Sequence, residues 1–268
     1  MPFGEFAVFV SIKLFINICI AQVGNLCYNT EPFMQKRPKH RTYTKYILLI
    51  FLLASAAMYG YFMKRTPILW GYHQFYFTPK KYKNTLHQLA DERKQLTAGS
   101  ENLSQTFIRQ FRRLMPFWYG TRYSFYGKTQ TPGEGKIACG YFVTTVLEDL
   151  GLNVERNKLA QLPSEEMIKT LIGKKSIRRF SGYTLNDFLV GIKETGTGLY
   201  VVGLDTHTGF LLYQNNEMRF IHASGRFPFA VINERASESI ILGKSKYRII
   251  GKLNDDEKVL QNWLSNQS

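Results

Sequence analysis

Cysteine is scarce in this chain, and the three that it has are unevenly placed. Cys19 and Cys27 lie near the N-terminus, and only Cys139 follows them. The chain after residue 27 therefore has no internal disulfide and no cysteine-rich zinc site. The sequence also lacks a His-Glu-x-x-His motif, a phosphate-binding P-loop, a Gly-x-Gly-x-x-Gly motif and internal repeats. We accordingly expect neither a metal ion nor a cofactor.

Acidic residues are few as well, with 20 Asp and Glu against 35 Lys and Arg. The resulting net charge of +15 favours an anionic partner. No recognition-helix or RNA-binding signature is present, so we expect no nucleic acid and instead an anionic substrate of the cell envelope. At 268 residues and 44% hydrophobic content, the chain is long enough for one sizeable domain with appendages.

An uncharged apolar run at 46–63 has the lower-limit length for a membrane span. Five basic residues precede it, which predicts that this flank stays in the cytoplasm and that the chain after the run is exported. These residues are Lys36, Arg37, Lys39, Arg41 and Lys45. The run is either a retained anchor or a signal peptide cleaved near Ala54-Ser55-Ala56. The main domain is thus predicted to be membrane-anchored or secreted, on the extracytoplasmic side.

The chain divides into five segments on this interpretation. Residues 1–33 form an apolar extension that is absent if Met34 is the true translation start. Residues 34–65 hold the basic flank and the membrane segment, and 66–99 hold an aromatic, basic linker and a helix. The catalytic domain occupies 100–253, and 254–268 form a polar tail. Helices are predicted at 83–97 and 103–115 from the spacing of their apolar residues.

Cys139 begins a predicted helix. Apolar residues recur at helical spacing from Phe142 to Leu150, and Gly151 supplies a C-terminal cap. In the first turn, free amides and the positive end of the helix dipole favour the thiolate that a nucleophile needs. A small buried core residue is the alternative reading of this cysteine.

His207 and His222 lie on two short predicted strands separated by the polar residues 214–217. If the turn has an even number of residues, both histidines project from one face of the hairpin. They are directly opposite if the turn is centred between Gln214 and Asn215, and diagonal neighbours if it is centred one residue later. Such a pair supplies a base, His207, and a partner, His222, that orients it. Asp205 is a rival orienting group, although a role in the turn is favoured.

Five short motifs follow one another along the chain in a fixed order. They are Gly120-Thr121-Arg122-Tyr123, a glycine-rich loop, Cys139, His207-Thr208-Gly209 and Ile221-His222-Ala223. This order resembles the NlpC-type papain-like cysteine peptidases that cut cell-wall peptides, over about residues 100–250. The resemblance implies an α+β, papain-like fold in which the nucleophile's helix packs on an antiparallel sheet. It also implies a triad of Cys139, His207 and His222, with Tyr123 beside the nucleophile.

The chain also departs from this pattern. The usual Asp-Cys-Ser-Gly is replaced by Ala138-Cys139-Gly140-Tyr141, and His207 follows Cys139 by 68 positions. Two further helices are predicted in that interval, one with Glu165 and Glu166 in its first turn and one capped by Thr184. A divergent member of the family is therefore expected.

The predicted function is that of an exported or membrane-anchored cysteine hydrolase that cleaves peptide amide bonds, in peptidoglycan, through a thioester. Two alternatives stay open. One is a catalytically idle, membrane-tethered binding module with the same fold. The other is a thiol acyltransferase or amidase that acts on a substrate outside the cell wall.

Overall fold

The computed structural model describes residues 47–55, 78–97 and 102–265. The chain divides into two compact units, Met1–Ala57 and Met58–Ser268. In the first unit, residues 47–55 are helical and their side chains are exposed. Within the described ranges, no helix has both the length and the apolar character needed to span a membrane. The predicted extension at 1–33, the basic flank and half of the apolar run lie outside the described residues.

The second unit alternates helices with strands. Its helices are α1 (Thr78–Lys94), α2 (Leu103–Trp118), α3 (Cys139–Asp149), α4 (Arg156–Ala160), α5 (Ser164–Leu171), α6 (Leu185–Thr195), α7 (Ile240–Lys244) and α8 (Glu257–Ser265). Its strands are β1 (Arg122–Tyr123), β2 (Lys136–Ile137), β3 (Ile177–Ser181), β4 (Gly198–Leu204), β5 (Thr208–Gln214), β6 (Glu217–Ala223), β7 (Val231–Arg235) and β8 (Tyr247–Lys252).

Six strands form one sheet in the order β3-β8-β4-β5-β6-β7, and each neighbouring pair is antiparallel. The short strands β1 and β2 form a separate parallel pair. The predicted α+β class with an antiparallel sheet is thereby confirmed.

Helices cover both faces of this sheet, which explains why all seven residues of β4 are buried. Leu199 and Val201 pack in one core with Phe142 of α3. Tyr200 and Val202, which alternate with them, pack in a second core with Phe188 of α6. The sheet is therefore the central layer, with α3 on one face and α6 on the other.

Local sequence explains where the helices begin and end. The Thr184 hydroxyl accepts a hydrogen bond from the Asp187 amide (3.2 Å) and so caps α6, as predicted. Glu165 and Glu166 lie in the first turn of α5. Gly151 adopts a positive φ of 96° just after α3, a conformation that glycine tolerates at a helix end.

The core of this unit also includes residues of α1 and α8, which lie outside the predicted range 100–253. In α1, Leu89 is fully buried and the Tyr82 hydroxyl accepts a hydrogen bond from Trp118 Nε1 (3.0 Å). In α8, buried Trp263 donates from Nε1 to the Leu150 carbonyl (2.9 Å). Both helices thus contribute to the core, because Tyr82, Leu89 and Trp263 are buried within it.

Candidate active site

Cys139 is the first residue of α3, preceded by Ala138 in an extended conformation. Burial raises the pKa of its thiol, although the backbone amides of Thr208, Gly140 and Cys139 itself act in the opposite direction. The helix start thus favours the thiolate as predicted, but the loss of solvent is the larger effect. Cys139 is therefore a thiol at rest, and only a base would turn it into a thiolate near neutral pH.

Close packing explains why a glycine, Gly140, follows Cys139. A Cβ added to Gly140 would lie 2.3 Å from the Ala160 carbonyl oxygen, at the end of α4. The serine typical of the related pattern cannot fit here without moving α4. The glycine at position 140 is thus explained by the packing of α4 against the first turn of α3.

The β5–β6 hairpin has the second of the two predicted registers. Gln214 pairs with Glu217, so the turn is centred between Asn215 and Asn216, whose φ values are 50° and 60°. His207 and His222 are accordingly diagonal neighbours, and His207 Nε2 lies 2.9 Å from His222 Nδ1.

A glycine opposite His222 lets the two strands approach at this point. A Cβ on Gly209 would lie 2.7 Å from the His222 Cβ. Any larger residue at position 209 would therefore require His222 or its strand to move. The glycine of the His207-Thr208-Gly209 motif therefore serves the geometry of the histidine pair.

Both histidines are neutral at neutral pH. Burial, aided by the nearby His222, lowers the pKa of His207 to about 3. Burial also lowers the pKa of His222, against the opposing effect of Glu234. A neutral imidazole carries one N–H and one bare nitrogen. The His207–His222 contact consequently has one donor and one acceptor, as a hydrogen bond needs.

Sequence reasoning missed one member of this constellation, Glu234 on β7. Its Oε1 lies 3.2 Å from His222 Nε2, the ring nitrogen that does not face His207. A single acid between Asn233 and Arg235 looks like any exposed strand residue, and only strand pairing brings it beside His222. Among the described residues, no group of three or more His, Cys, Asp and Glu side chains is arranged to hold a metal ion.

Tyr123 lies on β1, close enough to Cys139 for the two groups to interact electrostatically. Burial and the neighbouring Cys139 raise the pKa of the Tyr123 hydroxyl. The hydroxyl therefore stays protonated and remains a hydrogen-bond donor.

A cavity of about 550 Å³ opens beside Cys139 and His207. The segment between these two residues forms much of its wall, including Leu162, Ser164 and Met167. That segment thus shapes the cavity and is more than surface decoration.

Asp205 lines the same cavity, but its carboxylate is engaged elsewhere. It accepts hydrogen bonds from the amides of Lys246 (2.8 Å) and Tyr247 (3.1 Å) and from the Ser245 hydroxyl (3.0 Å). Asp205 is therefore a turn residue, and His222 is the group that contacts His207, at 2.9 Å.

The structure thus brings together the four residues predicted from sequence, and it adds Glu234. Cys139 and His207 share a cavity, His207 and His222 share a hydrogen bond, and Tyr123 is a neighbour of Cys139. Comparison with known proteins adds no relative: no family model, curated protein or solved structure matches this chain.

Proposed function

We propose that this protein is an exported or membrane-anchored cysteine hydrolase that cleaves peptide amide bonds in peptidoglycan. One observation carries the proposal: a cysteine at a helix start shares a cavity with a neutral histidine whose far nitrogen is held by a second histidine at 2.9 Å. This arrangement supplies a nucleophile, a base and an orienting group.

In the proposed reaction, Cys139 Sγ attacks the carbonyl carbon of the scissile amide while its proton passes to His207. The Cys139 backbone N–H and the Tyr123 hydroxyl donate hydrogen bonds to the oxyanion. The tetrahedral intermediate collapses to a thioester, and His207 gives its proton to the departing amine. Water then attacks the thioester with His207 as base, which releases the carboxylic acid and restores the thiol.

A papain-like fold is part of the same proposal. The helix that begins at Cys139 packs on an antiparallel sheet, His207 directly precedes β5, and His222 lies on β6, the other strand of that hairpin. This order of elements agrees with the motif order that resembles the NlpC-type peptidases. Peptidoglycan as substrate rests on that resemblance and on the net charge of +15, which suits an anionic polymer.

The direct test is incubation of the full-length protein in detergent with purified muropeptides, followed by mass spectrometry of the products. We expect two fragments whose masses sum to that of the substrate plus one water, and none with the matched variant Cys139→Ala. Equal products from both proteins would refute the nucleophile assignment.

A catalytically idle binding module is the second candidate, and the changed neighbours of Cys139 favour it. The same assay separates the two. An idle module would bind muropeptides, measured by calorimetry, with no cleavage and with equal affinity in the wild type and in Cys139→Ala. A cleaved substrate would exclude it.

A further inference from the structure

Glu234 has a place that neither the motif pattern nor the proposed triad explains. It follows Asn233 on β7, and β7 pairs with β6 so that Phe220 lies opposite Glu234 and His222 opposite Ile232. Glu234 on β7 is thus the diagonal neighbour of His222 on the adjacent strand β6. In the same way, His222 is the diagonal neighbour of His207 across the β5–β6 pair. The three side chains form a line across one end of the sheet.

The Glu234 carboxyl group is ionised at neutral pH. Burial acts to raise its pKa, but hydrogen bonds from His222 and from the Ser239 hydroxyl outweigh burial and lower the pKa. An ionised carboxylate only accepts hydrogen bonds. Its contact with His222 Nε2 at 3.2 Å therefore requires a proton on that nitrogen.

The proton on His222 Nε2 fixes the positions of the other ring protons of His222 and His207. A neutral His222 with its proton on Nε2 has a bare Nδ1, which must accept from His207 Nε2 at 2.9 Å. His207 then carries its proton on Nε2, and its Nδ1 is bare. Only this tautomer of His207 can take the thiol proton, because Nε2 is occupied by His222.

We propose that Glu234 is a positioning residue that acts through His222 to fix the tautomer of His207 in which Nδ1 is free to accept the proton of Cys139. Without the carboxylate, His222 is free to carry its proton on Nδ1 and donate to His207 Nε2. His207 would then hold its own proton on Nδ1 and would be unable to act as base.

Long-range ¹⁵N–¹H NMR of the full-length protein labelled in its five histidines tests the proposal directly. In the wild type, we expect a protonated Nε2 and a bare Nδ1 in both His207 and His222. In Glu234→Ala, we expect His222, and His207 with it, to populate the Nδ1–H form. A wild-type His222 protonated on Nδ1, or tautomers unchanged in Glu234→Ala, would overturn the proposal. The wild-type spectrum decides the point even if the variant does not fold.

Kinetics supply a second readout, and this part rests on the proposed function. Glu234→Ala should lower kcat about 10- to 100-fold, as losses of partners behind a functional histidine do, with KM unchanged. The matched control Glu238→Ala, which removes a nearby acid paired with Arg235 at 3.2 Å, should leave kcat unchanged. An unaltered kcat in Glu234→Ala would contradict the role.

A double-mutant cycle shows whether Glu234 acts through His222. In a His222→Gln background, the amide oxygen can accept from His207 Nε2 without help, so adding Glu234→Ala should cost little more. Additive losses would mean that Glu234 acts by another route. A wild type without hydrolytic activity would refute the proposed function, whereas the NMR result would still test the tautomer.

Discussion

At the scale of the residue, the decisive balance is between burial and hydrogen bonding at Cys139. Three backbone amides favour the thiolate, yet burial raises the pKa of the thiol. His207 has a pKa lowered to about 3, again chiefly by burial. The resting pair is therefore a neutral thiol and a neutral imidazole, and not a thiolate–imidazolium ion pair.

This balance predicts the pH dependence of alkylation of Cys139 by iodoacetamide. Because only the thiolate reacts, the alkylation rate in the free protein should be low at pH 7. The rate should rise only in the alkaline range, at a higher pH than the rate of an ordinary thiol does. A variant with Cys19→Ser and Cys27→Ser confines the reaction to Cys139. A rate that is already maximal at pH 6 would show an ion pair and contradict this account.

At the scale of the element, the contact of α4 with the start of α3 decides which residue can follow Cys139. A side chain at position 140 would meet the Ala160 carbonyl oxygen, a backbone atom that cannot rotate away. This contact also joins the cavity wall to Cys139, because Gly140 and Ala160 both line the cavity.

Gly140→Ser should therefore destabilise the protein and reduce its activity, even though serine is the residue expected from the resemblance. The cost should be about 1–3 kcal/mol, as is typical of overpacking, measured by urea unfolding. The control is Gly243→Ala in α7, where the added Cβ meets nothing closer than 3.7 Å. A Gly140→Ser protein as stable as wild type would show that α4 is not packed in this way.

The helices, the strands and the ends of the helices could be predicted from local sequence. The full set of residues at the candidate site could not. The cap at Thr184 and the buried run of β4 depend only on neighbouring residues. The hairpin register was open between two choices, although the tandem Asn215-Asn216 favours the observed turn because asparagine tolerates positive φ. Glu234 could not be found, because its role depends on pairing between β6 and β7.

At the scale of the whole molecule, helix α1 is held to the rest of its domain by a partly buried acid, Asp149. The Tyr82 hydroxyl donates to the Asp149 carboxylate at the end of α3, and Trp118 Nε1 donates to the same hydroxyl. Burial raises the pKa of Asp149 to about 7, although the hydrogen bond from Tyr82 partly opposes it. The helix expected to be part of a linker is thus tied to the core through an ionisable group.

The raised pKa predicts that the stability contributed by this acid falls as pH rises. An unfolded aspartate titrates near pH 4, so between about pH 4 and 7 the folded state binds more protons than the unfolded state. The contribution of Asp149 to the free energy of unfolding is complete below about pH 4. It decreases as the pH rises from about 4 to 7, by at most about 1.4 kcal/mol per pH unit.

Urea unfolding of the wild type and Asp149→Asn between pH 4 and 8 measures this contribution. The difference in unfolding free energy between the two proteins should change across this window. A constant difference for Asp149→Asn would contradict the assignment.

The central claim is that Cys139 is the nucleophile. The most direct test compares the fraction of Cys139 that is alkylated with the fraction of hydrolytic activity that is lost. In the Cys19→Ser and Cys27→Ser protein, intact mass gives the fraction of Cys139 modified by iodoacetamide, and muropeptide hydrolysis gives the activity that remains. We predict that activity falls in direct proportion to modification and reaches zero at one carboxamidomethyl group per chain. Activity that survives complete modification of Cys139 would contradict the account.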